Sequence, residues 1–396
     1  MKSVTIKNIQ EAAFTLSQST EKERNAFLTK LSDEIQRVGK KIIAANQKDL
    51  RRARKAHLPE AFVQRLVVDE KGIAHLMRKL AEIRRLTSGL GETIEKRNLK
   101  NGLLLKKVRV PLGVLLIIYE SRPEVTIDVA ALSVKSGNAV ILKGGSEALA
   151  TNRALYACIV SALKKSGLPR NAVSFLATRN RSAVNALLKR HDAIDLVIAR
   201  GGYSMVKAVI EETRIPVLAH AAGGARIYVD KSADFKMAEK ILVNAKITKP
   251  AACNSVDTVL VHEAIAKTFI PRITQAFKSH GVSVVNGTWD TEFLALKVGI
   301  KVVRNVEEAI AFIHQHTKRH TEGVIAGDKR VIQKFVNGID AAALFVNSST
   351  RLHDGYVFGL GSEMGISTSK LHARGPVGLK ELTTYKWELY GKGAIR

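Results

Sequence analysis

Apolar residues recur at three- and four-residue spacing through the first 90 residues. The stretch EAAFTLSQSTEKERNAFLTKLSDEIQRVGKKIIAANQKDL, with charges between its apolar positions, predicts a run of helices. From residue 108 the texture changes. Short apolar runs, GVLLIIY (113–119), NAVILK (138–143), AVSFLA (172–177) and DLVIA (195–199), alternate with amphipathic stretches such as VTIDVAALSVKSG and TNRALYACIVSALKKSG. Strand and helix alternating at this spacing predict a parallel, doubly wound α/β sheet. The pattern then repeats with ARIYVD, VDTVLVH, VSVVN, KVVR, GVIAG and AALFVN, and the helical stretch DFKMAEKILVNAKI follows the first of these. A second α/β unit is therefore expected from about residue 223. No short-period repeat or low-complexity tract interrupts the chain.

Composition narrows the class. The 396 residues are 46% hydrophobic, with a mean hydropathy near zero, and suffice for two or three domains. The N-terminus lacks the apolar core of a signal peptide, and the run VLLIIY is too short to span a bilayer. Two cysteines, outside any CxxC or Cys/His cluster, make neither a disulfide framework nor a structural zinc site, so a reducing cytoplasm is expected. The net charge of +27 invites a nucleic-acid reading, but the basic excess is spread along the chain and aromatic content is only 5%. A positive field that gathers small anionic substrates fits better, a lineage bias in surface composition better still, and nucleic acid is not the expected partner.

The two cysteines differ. Cys158 lies in ALYACIVSAL with Leu155, Ile159 and Ala162 at helical spacing, the setting of a small core residue. Cys253 lies in KPAACNSVDTVLVH, after a proline and two alanines at the mouth of a β-branched run, with no apolar stripe to bury it. Connections on a rigid scaffold are where nucleophiles tend to sit, and a thiol is a strong nucleophile near neutral pH. The choice between catalytic and structural stays open on the residues alone. The turns LKGGSEA and IARGGYS (198–204) each follow a predicted strand and precede a predicted helix, as phosphate-binding turns do, although glycine also serves tight turns generally. Neither GxGxxG nor the Walker A pattern is present, so ATP chemistry is not supported. In FGLGSEMGISTSKLHARGPVGL (358–379), glycines, hydroxyls and Arg374 suit either an anion-binding loop or a turn-rich connection; His372 reads as structural.

Three long segments carry a resemblance: VRVPLGVLLIIYESRPEVTIDVAALSVKSGNAVILKGGSEA, the cysteine segment, and VNSSTRLHDGYVFGLGSEMGISTSKLHARGPVGLKELTTYK. Together with ANQKDL and AFVQRL they resemble the γ-glutamyl phosphate reductase family, within the aldehyde dehydrogenase superfamily, over the whole chain. The resemblance implies an aldehyde dehydrogenase-like α/β fold: a Rossmann-type NADP(H)-binding domain at 1–222, a catalytic domain at 223–370, and a C-terminal return and oligomerisation tail at 371–396. A small β flap near 96–110 would join that tail in building a homo-oligomer.

The implied reaction is NADPH-dependent reduction of L-glutamyl 5-phosphate to L-glutamate 5-semialdehyde with release of phosphate, the second step of proline biosynthesis from glutamate. A separate γ-glutamyl kinase would supply the acyl phosphate. Cys253, followed by Asn254, falls on the family's catalytic cysteine, and its own N–H is the implied oxyanion donor. Lys143, Gly144, Gly145 and Ser146 match the turn after the cofactor strand, Ser146 standing where NAD-using relatives carry a carboxylate. Arg200, Gly201 and Gly202 match a second cofactor segment, in which Ala199 replaces a proline.

Glu120, Ser121, Arg122 and Pro123 match ESRP, with Ser121 and Arg122 toward the acyl phosphate; Ser367, Thr368 and Arg374 are implied for the amino-acid end. Ala221 stands where hydrolytic relatives carry a water-activating glutamate, a base that a reductase does not need. Ala225-Arg226 and Lys318-Arg319-His320-Thr321 depart from the family's Cys-His and Ser-Gly-His-Thr, and LTSGLGE is shortened. These departures bear on substrate affinity and loop geometry more than on reaction type.

Overall fold

A computed structural model describes residues 6–178, 180–219 and 223–395. The chain forms two compact units, the first of Met1–Ala219, Leu360–Gly365 and Val377–Arg396, the second of His220–Gly359 and Ile366–Pro376. The expected cuts near 223 and 371 are too simple for this path. The chain returns to the first unit at Leu360 and visits the second again over Ile366–Pro376.

The first unit opens with the predicted helices, Ile6–Ser17, Glu21–Lys55, Glu60–Leu66 and Glu70–Arg85. Thr20 and Glu23 form a reciprocal capping box at the start of the longest, and Phe27, Leu31, Ile35 and Ile42 make its buried stripe. After β1 (Thr93–Asn98) and β2 (Leu104–Pro111) come β3 (Val114–Tyr119), β4 (Ala139–Gly144), β5 (Val173–Phe175), β6 (Leu196–Arg200) and β7 (Val217–Ala219). The last five form a parallel sheet in the order β5-β4-β3-β6-β7. Every residue of β3 is buried, which is why it reads as an unbroken apolar run. Strand order reverses between β3 and β6, and crevices at the carboxyl ends of such a reversal are where α/β sheets bind ligands.

The second unit repeats the architecture with β8 (Ala225–Val229), β9 (Val256–His262), β10 (Ser283–Val285), β11 (Lys297–Val303), β12 (Thr321–Ile325) and β13 (Ala343–Val346). All are parallel, in the order β10-β11-β9-β8-β12-β13. Ile227, Val229, Val259 and Val261 pack one face against Leu242, Phe269, Ile273 and Phe277 of the covering helices, while Tyr228, Leu260 and Val324 pack the other against Ile313 and Phe335. Two short strands, β14 (Ile366–Ser367) and β15 (Gly375–Pro376), pair antiparallel.

The tail forms a strand, β16 (Thr383–Tyr390), antiparallel to β2, giving a three-stranded sheet β1-β2-β16 in the first unit. Among the described residues no helix is long and apolar enough to cross a membrane.

Candidate active site

In the first unit, β3 runs into Glu120, Ser121 and Arg122, β4 into Gly144, Gly145 and Ser146, and β6 into Gly201 and Gly202. Tyr119 pairs with both Gly144 and Arg200, so these turns emerge side by side at one sheet edge. Lys143 is half-buried, and its ammonium donates to Gly144 O at 2.7 Å. Burial pulls its pKa down while the carboxylates of Glu147 and Glu120 pull it back up. Glu147 accepts the Ser121 N–H at 2.8 Å, and Glu120 accepts the Gly202 N–H at 2.9 Å.

The glycines serve these carboxylates. A Cβ on Gly145 would meet Glu147 Oε1 at 2.0 Å, and one on Gly201 would meet Glu120 Oε2 at 2.5 Å. Each neighbour is the far end of a flexible side chain, so a residue larger than glycine would push the carboxylate off the backbone N–H it accepts. Ser121 holds a left-handed φ of 54°, a conformation uncommon for a residue with a side chain. Arg52, which the sequence did not single out, donates to Ser146 O at 2.6 Å and pairs with Asp49 at 3.0 Å, tying this turn to the long helix.

An ammonium between two carboxylates at a parallel-sheet switch point fits the hydroxyl and phosphate groups of a dinucleotide. The removal of charge at Ser146 is offset one residue later, because Glu147 keeps a carboxylate beside Lys143.

In the second unit Cys253 sits half-buried on a turn three residues before β9, as the broken, small-residue segment predicted. Its carbonyl accepts the Gly224 N–H at 2.6 Å. A Cβ on Gly223 would lie 2.5 Å from Cys253 Cβ and 2.6 Å from its Cα, so the backbone passes the cysteine at a distance only glycine permits. Asn254 is buried with both ends of its amide committed: Nδ2 donates to His353 O at 2.9 Å, and Oδ1 accepts from Arg351 Nη1. Asn254 thus braces the turn.

Charged groups surround the turn. Glu292 accepts the Gly223 N–H at 3.2 Å, and burial raises its pKa, with Asp257 adding to the effect. Lys246 and Asp257 form a buried pair at 3.3 Å. His353 is buried, hydrogen-bonded through Nδ1 to Thr321 Oγ1 at 2.8 Å, and desolvation lowers its pKa to about 4, leaving it neutral near pH 7. Arg351 carries its charge close enough to Cys253 for the two to interact. Glu292, Arg351 and His353 were not foreseeable from local pattern. Each lies 39 to 100 residues from Cys253, and only the sheet's crossovers bring them to its turn.

The residues expected at the amino-acid end are also in this unit. Ser367 is buried in β14, and its hydroxyl accepts the Ser369 N–H at 3.1 Å; Thr368 is half-buried beside it. Arg374 donates through Nη1 to Asp340 at 2.6 Å, while its buried Nε and Nη2 have no partner among the described residues. Ala221 lies outside the described residues.

The sequence profile of the aldehyde dehydrogenase family matches residues 4–293. A gamma-glutamyl phosphate reductase of Carboxydothermus hydrogenoformans is 42% identical over 98% of both chains. Another, of Caldanaerobacter subterraneus subsp. tengcongensis, is 41% identical over 99% of both. The chain belongs to the γ-glutamyl phosphate reductase branch of the aldehyde dehydrogenase family. A crystal structure of gamma-glutamyl phosphate reductase from Thermotoga maritima superposes with a TM-score of 0.97 at 39% identity, covering 99% of this chain and 98% of that one.

Within that family frame the departure at Arg226 is structural. Arg226 and Glu322 are register partners on β8 and β12, both buried, their side chains 3.4 Å apart. The guanidinium also donates to Trp289 O and His316 O, so it replaces a smaller residue as an internal tie.

Proposed function

We propose that this protein reduces L-glutamyl 5-phosphate to L-glutamate 5-semialdehyde, releasing phosphate, in proline biosynthesis. The observation that carries this reading is Cys253, accessible on a turn that Gly223, Gly224 and Asn254 hold at the mouth of a buried strand. The thiolate attacks the acyl carbon; the C–S bond forms as the C–O bond breaks, and phosphate leaves with the electron pair. An acyl phosphate has a good leaving group, so no acid is required to expel it.

The aldehyde dehydrogenase family uses a nicotinamide cofactor, and when bound it supplies the hydride that converts the thioester to the aldehyde. Lys143, Gly144, Gly145, Ser146, Arg200, Gly201 and Gly202 would hold it, and NADP(H) is the form proposed, as the family resemblance implies, with Glu147 as the group that works against a 2′-phosphate. Thiolate is regenerated when the C–S bond breaks, so Cys253 finishes as it began. The Cys253 N–H is the proposed oxyanion donor, a contribution of about 3–4 kcal/mol when preorganised. Ser121 and Arg122 are assigned to the acyl phosphate, and Ser367, Thr368 and Arg374 to the amino-acid end; the two unpartnered nitrogens of Arg374 suit a carboxylate.

The labile substrate requires a preceding phosphoryl transfer onto the glutamate side chain, the work of a γ-glutamyl kinase. A reducing cytoplasm is the proposed compartment. A homo-oligomer is proposed through β16, where Tyr385, Trp387 and Leu389, spaced to share one face, stay about half exposed.

The experiment runs the reaction backward. Glutamate semialdehyde should reduce NADP⁺ only when phosphate or arsenate is present to intercept the thioester. Equal rates without either anion would assign the protein to ordinary aldehyde oxidation instead.

A further inference from the structure

We propose that Arg351 is a positioning residue that holds Cys253 as a thiolate and braces the turn carrying it through Asn254. Resting on the role of Cys253 as nucleophile, the inference adds what makes that thiol reactive. Arg351 lies in a single 3₁₀ turn, Thr350–Leu352, after β13, and Ser349 Oγ caps it by accepting the Arg351 N–H at 3.3 Å. Its Nη1 donates to Asn254 Oδ1, on the residue next to Cys253, and the other end of that amide is tied to His353 O at 2.9 Å. The arginine and the cysteine are thus two ends of one braced loop pair.

The guanidinium is half-buried, and its Nε is buried without a hydrogen-bond partner among the described residues. It has given up water and received a neutral amide oxygen, a poor exchange for a cation. An anion is what this position lacks. Two groups can supply one, Cys253 and the exposed Asp354, and the interaction with Cys253 is the larger.

The other charges around the turn leave this field standing. Lys246 and Asp257 offset each other in their buried pair. Glu292 accepts the Gly223 N–H, and burial raises its pKa. His353 is neutral near pH 7, and Lys249, on the same turn, carries the same sign as Arg351. A guanidinium anchored on the residue next to the thiol favours its ionised form, and thiolate, not thiol, is the nucleophile.

The test reads the thiol directly, without substrate or cofactor: iodoacetamide labelling of Cys253 across pH, quantified by peptide mass spectrometry. In Arg351→Gln the labelling midpoint should rise by about one unit or more. Arg351→Lys should restore most of the shift, and Asn254→Ala, which loosens the brace but keeps the charge, should move the midpoint little. Asp354→Asn keeps the oxygen that accepts the Tyr356 N–H at 2.9 Å and removes a competing anion, so its midpoint should fall.

An unmoved midpoint in Arg351→Gln, or equal shifts in Arg351→Gln and Asn254→Ala, would overturn the proposal. If Arg351→Gln does not fold, an unchanged or higher midpoint in Asp354→Asn does the same. Failure of the phosphate-dependence assay while the midpoint still moves removes the assigned reaction and leaves Arg351 in place.

Discussion

The same side chain meets opposite surroundings in the two units. Cys158 is buried in the helix Leu149–Ser166, its Sγ 3.5 Å from Ala154 O, and its pKa is pushed up to about 11, first by burial and then by the carboxylate of Glu34. Cys253 sits on a half-exposed turn with Arg351 as its charged neighbour. One thiol is packed where a negative charge is penalised twice; the other has a guanidinium for a neighbour. A thiol's chemistry is set by the sign of what surrounds it, and the fold supplies both signs within one chain.

The largest effect that would break this contrast is loss of the nucleophile. Cys253→Ser should lower the rate of semialdehyde oxidation by at least about 10⁴-fold. Cys158→Ala should leave kcat within about twofold, costing only the packing of a small core side chain. With glutamyl phosphate and no reductant, mass spectrometry should find an acyl adduct on Cys253 and none on Cys158. Activity surviving in Cys253→Ser would end the covalent mechanism.

Two arginines sharpen the same comparison. Arg351 faces a thiol and serves reactivity, whereas Arg226 faces Glu322 in the core and serves only the fold. Breaking a buried pair leaves an uncompensated charge, so Arg226→Met should destabilise the protein by about 3–5 kcal/mol in urea unfolding. Adding Glu322→Leu should recover most of that loss. Unequal pH slopes should accompany the pair.

Burial raises Glu322 to about 7 despite Arg226, so its contribution is full below the unfolded value near 4.5 and is lost as pH rises through 7. His353, lowered to about 4, acts oppositely: stability is lost as pH falls from about 6.5 toward 4. Each is worth about 3 kcal/mol to order of magnitude, and over the shared window they offset. Glu322→Gln should therefore unmask a stability loss on acidification between about pH 6.5 and 4.5, which an unchanged flat profile would contradict.

How much of this was legible in the chain follows from range. The short runs VLLIIY and VDTVLVH were legible as strands of a parallel sheet, and the structure buries both along their whole length. Cys253 and the two glycine turns were readable because each signal is complete within a few residues. The Arg351–Asn254 brace was not, since it spans 97 positions and depends on the crossovers that put β9 and β13 in one sheet. Glu147 was missed for another reason. The family resemblance places the charge-setting position at Ser146, yet the chain turns through a short 3₁₀ helix there, Ser146–Ala148, and the next side chain folds back toward Ser121.

That folded-back carboxylate gives the smallest effect and the finest comparison, between a charge that sequence places and one that structure places. Glu147 lies beside Lys143, where a 2′-phosphate would be opposed by it and a 2′-hydroxyl would be accepted by it. Glu147→Gln keeps an oxygen to accept the Ser121 N–H and removes the charge. The ratio of kcat/KM for NADP⁺ over NAD⁺ should then rise about three- to tenfold, equivalent to about 0.6–1.4 kcal/mol for one partly buried charge interaction. The change should reside in KM for the dinucleotide, with kcat nearly constant, because uniform binding is what the residue alters. A ratio that stays fixed would place the selecting group elsewhere on this edge, with Arg200 the next charge to test.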